Sequence, residues 1–263
     1  MQNISKYFKV WWLMTSQSIQ LFFVSRLGAI LFLSGKILRF ILFFAFLLLL
    51  FNRTNVLAGY NFYQVILFYF TFNFIDSATQ MLFREVYRFR YYIVSGNFDM
   101  ILVKPVNALF RSLFGWTDIL DFITLGPFIG LIVYVIFKIP HITLLGIFSY
   151  ILLIANSMLI ATSFHILVIS LAVITTEIDH AIMIYRDVVG MGKIPIDVYT
   201  EPVRSLITFV IPVGIMMSFP VKALLGLLSL PFVLMTLFAS LVLLYISINF
   251  WRFALKKYTS ASS

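Results

Sequence analysis

The chain has 263 residues, of which 62% are hydrophobic and only 11% are charged, far below the roughly 25% of charged residues in soluble domains. Its net charge is +9, but the basic residues lie beside apolar runs, where membrane orientation and anionic headgroups explain them. This composition excludes a soluble globular protein and argues against nucleic acid as a partner. The chain has no cysteine, which excludes disulfides and thiolate metal sites.

The N-terminal stretch, residues 1–27, is typical of an interfacial helix and lacks the pattern of a cleavable signal. Lys6 and Lys9 lie among Phe8 and Trp11. A mixture of basic and aromatic side chains favours the headgroup layer of a membrane. We therefore predict an amphipathic elbow helix here.

Six later segments are candidate membrane spans, each needing about 20 apolar residues. They lie at about 28–51, 60–82, 116–137, within 142–174, 178–194 and 224–250. The fifth is rich in charge, and a soluble amphipathic helix is its alternative. Six spans place both termini and the most basic loop on one side, which agrees with the positive-inside rule and favours retaining the fifth.

The segment before the last span contains several prolines, among them Pro202, Pro212 and Pro220. Proline cannot donate a backbone hydrogen bond and interrupts a helix, so residues 197–223 are predicted to form re-entrant helices and not a further span. The predicted fold is therefore an all-α polytopic membrane protein. It has an elbow helix, six transmembrane helices, a cytoplasmic loop, and re-entrant helices on the outer face.

The cytoplasmic loop is predicted at residues 83–115, between the second and third spans. Arg84, Arg88 and Arg90 alternate with tyrosines, and Ser95-Gly96-Asn97 indicates a turn. Short loops rich in Lys and Arg lie on the cytoplasmic side of membrane proteins. This loop is therefore predicted to be a platform on which a partner docks.

The motifs of common catalytic and nucleotide-binding sites are missing from the sequence. The two Gly-Lys pairs, at Gly35 and Gly192, are followed by Ile and not by the Ser or Thr of a P-loop. The three histidines lack metal-binding spacing, and there is no G-x-S-x-G motif. We therefore expect neither catalysis nor a bound cofactor in this chain.

Ionisable residues within the predicted spans are candidates for the transport pathway or its gate, because charges in lipid are costly and usually functional. They are Asp76, Lys36, Arg39, Arg186 and Asp187. Asp76 faces an internal cavity or lies at the interface near the loop. Lys36 and Arg39 line a cavity or extend towards the inner leaflet, and Arg186 with Asp187 forms a gate or belongs to a solvated helix.

Two stretches of the chain carry a recognisable pattern. Residues 90–107 read RYYIVSGNFDMILVKPVN, and residues 194–212 contain IPIDVY and LITFVIP, followed by Phe219-Pro220. The first stretch resembles the signature I-x-x-G-x-(L/F)-(D/A)-x-x-L-x-(R/K)-P-(hydrophobic)-(S/N) of the cytoplasmic loop in bacterial ABC type-2 exporter permeases. The second is similar to the segment before the last helix in their six-helix, daunorubicin-resistance-like branch. Lys193-Ile194 departs from this branch, which more often has Arg-Tyr there.

The resemblance implies a non-catalytic permease subunit of an ABC exporter in the bacterial inner membrane, with both termini cytoplasmic. Two copies, or one copy and a paralogue, would pair in the membrane. Separate ATPase subunits would bind ATP and Mg²⁺ and dock on the cytoplasmic loop. The matching docking residues are Arg88, Arg90, Ser95, Gly96, Asn97, Phe98 and Asp99. Phe98 would be the apolar anchor, and the substrate would be an amphipathic or hydrophobic drug, peptide or lipid.

An ion-coupled secondary transporter or channel is the alternative function. It predicts inverted repeats and acidic residues at the membrane midplane, and neither is clear in the sequence. A membrane-embedded enzyme would need clustered acids or histidines near one interface. A neighbouring gene for an ATP-binding-cassette protein would separate the exporter from both.

Overall fold

The structure, a computed structural model, describes residues 2–24, 26–175 and 179–259. Within these ranges the chain is helical apart from short turns and one isolated bridge between Leu57 and Tyr60. The helices are α1 (Gln2–Val24), α2 (Arg26–Phe51), α3 (Phe62–Phe83), α4 (Phe89–Val94), α5 (Asn97–Leu102), α6 (Ala108–Phe114), α7 (Ile119–Ile136), α8 (Leu144–Thr175), α9 (Asp179–Gly190), α10 (Val203–Val210), α11 (Gly214–Leu224) and α12 (Leu230–Lys257).

Five of the helices in these ranges, α2, α3, α7, α8 and α12, are long and apolar enough to cross a membrane. They match five of the six predicted spans and confirm an all-α polytopic membrane protein. The most buried of the five is α3. In its apolar stretch 72% of the residues are buried inside the protein, compared with 6% for α2. Asn61 begins α3 with a reciprocal capping bond to Gln64, which satisfies otherwise unpaired amides at the helix start.

Contacts between distant parts of the chain define the two ends of the bundle. At one end, Lys6 Nζ donates to the carbonyl of Pro105 at 2.7 Å, and Tyr258 OH donates to Asp99 at 2.9 Å. This end, called the loop end, therefore holds α1, the segment 84–115 and the end of α12. The opposite, far end holds the turns that follow α2, α7 and α11.

The predicted fifth span is wrong as a continuous helix. Its first residue, Ile178, lies outside the described residues, and α9 has 12 residues, a length of about 18 Å that is too short for the hydrocarbon core. Two 3₁₀ turns follow, at Met191–Lys193 and Ile196–Val198. Charged side chains and Pro195 explain why neither hydropathy nor helix length marks this segment as a span.

The same segment nevertheless runs from one end of the bundle to the other. Asp179, at its start, pairs with Arg90 of the loop end at 2.8 Å. Asp197, near its finish, accepts a hydrogen bond at 2.9 Å from Tyr60, which precedes α3 at the far end. Charged and irregular backbone is tolerated at membrane depth where protein surrounds it.

Helices α10 and α11 meet at an angle of 82° across a short break. By length and composition the pair could count as one span. However, Asp197, before α10, pairs with Lys222, near the end of α11, at 2.7 Å. The two helices α10 and α11 therefore begin and finish at the far end of the bundle. Its turn reaches the interior of the bundle, where Ser157 of α8 donates to the carbonyl of Met216 at 2.6 Å.

A close backbone approach fixes α11 against α8, and we expect Gly146→Ala to disturb it. An added Cβ at Gly146 would lie 2.8 Å from the carbonyl oxygen of Leu224, so one backbone must shift. The expected cost is about 1–3 kcal/mol of unfolding free energy, measured as a lower thermal midpoint in detergent. Gly130→Ala is the control because its Cβ would meet open space, and an unchanged midpoint for Gly146→Ala would contradict this packing.

Candidate docking surface and intramembrane polar cluster

The loop end is closed by a cap, defined here as residues 84–115, in which three short helices fold over the bundle. Gly96 lies between α4 and α5 with φ of +72°, a left-handed conformation that favours glycine. Ser95 and Asn97 complete the turn, with Asn97 donating to the Ser95 hydroxyl at 2.8 Å. The predicted turn is therefore present and joins α4 to α5.

Phe98 is fully buried inside this cap. Its ring lies 5.3 Å from that of Phe89, 6.2 Å from Trp251 and 5.1 Å from Tyr258. The predicted role of Phe98 as the apolar anchor for a partner therefore disagrees with its burial in this structure. Phe98 and Ile101 share the face of α5 that packs on the bundle, and their burial follows from this helical spacing.

The opposite face of α5 is exposed. Met100 has 62% of its surface accessible, and Val103, the residue that caps the end of α5, has 76%. Asn97 is exposed beside them. This row of Asn97, Met100 and Val103 follows the i, i+3 spacing of one helix face. We call it the α5 outer face. Sequence reasoning placed the contact near this helix but did not separate the outer face from the buried one.

Asp99 connects the cap to the end of α12. It is half-buried and accepts the hydrogen bond from Tyr258. Burial and this hydrogen bond to Asp99 raise the pKa of Tyr258 to about 12, so the hydroxyl remains a donor at neutral pH. Asp99 thus links α5 to the end of a membrane-spanning helix.

The two predicted arginines of the cap have different surroundings, although both are exposed. Arg90 forms the ion pair with Asp179, whereas the guanidinium of Arg88 lies 4.2 Å from the ring centre of Trp116. A further basic residue, Arg111, pairs with Glu85 at 2.5 Å, and the Glu85 side chain is 1% exposed. This buried pair joins the first turn of the cap to α6.

An intramembrane polar cluster lies between α3 and α9. Gln80 donates to Asp76 at 3.4 Å and to the hydroxyl of Tyr87 at 3.3 Å, and Arg186 donates to the same hydroxyl at 3.4 Å. Two predicted pathway residues, Asp76 and Arg186, are therefore brought together. Asp187 is not part of the cluster, because its side chain is exposed.

Two ion pairs border this cluster on the side of α7. Lys36 of α2 pairs with the buried Asp121, and Arg84 lies 3.5 Å from Asp118. Arg39, one turn further along α2, faces an open groove. The two predicted pathway cations of α2 therefore differ. Lys36 is neutralised by Asp121, whereas Arg39 faces solvent or lipid.

At the far end, Asp197 joins three elements through Tyr60 and Lys222. Burial alone would raise the pKa of Asp197, but the hydrogen bond and charge of Lys222 hold it below the usual value. A carboxylate with a depressed folded-state pKa stabilises the fold above its unfolded pKa, and this contribution is lost as pH falls through the folded pKa.

We therefore expect Lys222→Met to lower the thermal midpoint at pH 7, with a difference from the wild type that shrinks below about pH 4. The physical reason is that protonated Asp197 no longer gains from the cation. Thermal unfolding in detergent from pH 7 to pH 3 measures this difference. Lys138→Met is the control, since Lys138 is exposed near the same end, and a difference independent of pH would argue against the role of the pair.

The fold and these sites define a class: a polytopic membrane protein with a compact cap at one end and a charged cluster inside its bundle. Residues 37–262 match the family described as ABC-2 family transporter protein. The chain belongs to this family and is a membrane permease component of an ABC transporter. The daunorubicin-resistance-like branch stays a prediction. No curated protein and no solved structure matches the chain.

Proposed function

We propose that the chain is the permease subunit of an ABC exporter and couples to a separate ATPase subunit through the α5 outer face. The observation that carries this proposal is the exposure of Met100 and Val103 on a cap whose other face is packed against the bundle. Exposed apolar side chains on an otherwise well-packed element mark interaction surfaces. ATP and Mg²⁺ would be bound by the ATPase subunit.

The orientation follows from the distribution of charge. The loop end carries most of the basic side chains, including Lys6, Arg88, Arg90 and Lys104, and α12 ends there with Lys256 and Lys257. The positive-inside rule then assigns this end, with both termini, to the cytoplasm of a bacterial inner membrane. Only on this side can the α5 outer face meet a cytoplasmic ATPase.

Coupling would run through the links between the cap and the bundle. Movement of α5 would be transmitted by Phe98 to Trp251 and by Asp99 to Tyr258, both at the end of α12. The ion pair between Arg90 and Asp179 would transmit the same movement to α9. Closure of the ATPase dimer would thereby switch a pair of permeases between inward- and outward-open states.

A pair of permeases is needed because one chain would form half of the pathway. A second copy or a paralogue would complete it, and lipid would cover the remaining apolar faces. The mixture of charged and apolar surface within the bundle suits an amphipathic or hydrophobic cargo, and the direction is export.

Purification of the tagged full chain from native membranes tests the proposal. An ATP-binding-cassette subunit should be recovered in a fixed ratio to the permease after mild detergent extraction. Recovery should fall when the α5 outer face is altered and stay unchanged when the far end is altered. A permease recovered intact, and without such a subunit in cells that express one from a neighbouring gene, would contradict the proposal.

A further inference from the structure

Besides Arg186 of the polar cluster, two cations lie inside the membrane-spanning region without an ion pair to any residue that the structure describes. Arg39 is midway along α2, and Lys193 ends the 3₁₀ turn after α9. The ion pairs found in the described ranges instead use Lys36, Arg84, Arg90, Arg111, Arg204 and Lys222. Unpaired charges at this depth are costly and mark ligand or ion sites by default.

Arg39 lines an apolar groove, and Lys193 lies beside one of the aromatic side chains of that groove. The groove has a volume of about 420 Å³ and follows a single face of α2, lined by Gly35, Leu38, Arg39, Leu42, Phe43 and Phe46. Lys193 Nζ lies 5.7 Å from the ring centre of Phe43. The apolar side chains of the groove are open to the surroundings, with Leu42 60% and Phe46 52% exposed.

The charge around this groove is unbalanced. Lys193 interacts with two cations, Arg39 and Arg186, and with one acid, Asp76. The neighbouring acids Asp121 and Asp118 are already paired with Lys36 and Arg84. The groove therefore combines an excess of positive charge at one place with an apolar wall that continues along the helix.

We propose that this groove binds the transported amphiphile, and that the cargo has an anionic headgroup, a phosphate or a carboxylate, and a hydrocarbon tail. The headgroup lies between Arg39 and Lys193, where a guanidinium forms two parallel bonds to such an anion. The tail lies along Leu38, Leu42 and Phe46. This inference rests on the proposed transport function and narrows its substrate class, with a lipid of the membrane as the source.

The test is retention of lipid by the purified full chain in native mass spectrometry. The probes are dioleoyl phosphatidylglycerol and dioleoyl phosphatidylcholine in equal amounts, which differ in net charge and share their acyl chains. The wild type should retain the anionic lipid about tenfold more than the zwitterionic one. The double variant Arg39→Gln/Lys193→Gln should lose this preference, and Arg39→Lys should keep part of it, because the charge remains but the two parallel guanidinium bonds are lost.

The matched control is Arg53→Gln/Lys138→Gln, which also removes one Arg and one Lys, both exposed near the far end. Its preference should equal that of the wild type, and an equal loss in control and groove variants would overturn the inference. Excess glycerol phosphate should fail to displace the lipid, and displacement by this headgroup alone would overturn the role of the apolar wall. A groove variant that no longer forms dimers but keeps the lipid preference would overturn the inference. The occupant of the groove would then be a second permease copy.

This experiment contains no ATPase, so its failure is distinguishable from failure of the proposed function. A chain that retains the anionic lipid through Arg39 and Lys193 but recovers no ATPase contradicts the exporter function alone. A chain that recovers the ATPase and shows no lipid preference contradicts the anionic substrate alone.

Discussion

Met100→Glu/Val103→Glu is expected to reduce recovery of the ATPase subunit at least tenfold, equivalent to about 1.4 kcal/mol of binding free energy. The two side chains form the exposed apolar part of the α5 outer face, and interface energy concentrates in a few such residues. Two carboxylates would have to be desolvated against the partner. Quantitative co-purification from membranes that contain equal amounts of permease measures the effect.

The control for this experiment is Val56→Glu, in the exposed turn at the far end. It introduces the same acidic residue and should leave ATPase recovery unchanged. The thermal midpoints of both variants should stay close to that of the wild type, because the altered side chains are exposed. Full recovery of the ATPase with the Met100/Val103 variant would remove the α5 outer face as the docking surface.

Arg111→Met is expected to have the largest effect on stability, a loss of about 3 kcal/mol in unfolding free energy. The reason is that Glu85 is left buried without its cation, and breaking a buried pair on one side costs several kcal/mol. The Arg111 side chain is 24% exposed, so we expect a value at the low end of that range. Unfolding of the purified protein in mixed micelles with increasing SDS measures it.

Two comparisons make this result specific to the pair. Arg88→Met removes a cation that stacks on Trp116, and should cost less than about 1 kcal/mol. The double variant Glu85→Met/Arg111→Met should recover most of the lost stability, because no charge then remains buried without a partner. Equal losses for the single and double variants would mean that Glu85 does not depend on Arg111.

Hydropathy was sufficient to predict α2, α3, α7, α8 and α12, because each is a long apolar helix. It could not define the segment from Asp179 to Asp197, which reaches the far end by a short amphipathic helix and two 3₁₀ turns. This path depends on tertiary contacts: a Cβ at Gly192 would lie 2.6 Å from Met217. The hydrophobicity of the neighbouring residues does not predict this close approach of the turn to α11.

The candidate sites show the same division between local and tertiary information. The Ser95-Gly96-Asn97 turn was predictable because its residues favour that conformation on their own. The burial of Phe98 was not, since it depends on Trp251 and Tyr258 more than 150 positions away. Helical spacing within α5 could have indicated that Phe98 and Met100 lie on different faces, but not which face is covered.

The most direct test of the central claim uses the cysteine-free chain. Asn97→Cys places one thiol on the α5 outer face, and Asn55→Cys places one in the exposed turn at the far end. Each variant would be labelled with a thiol-reactive photocrosslinker in native membranes, and the products identified by mass spectrometry. An ATP-binding-cassette subunit crosslinked from position 97 and absent from position 55 is the predicted result. Crosslinking of the ATPase from position 55, or from neither position in cells that contain it, would contradict docking on the cap.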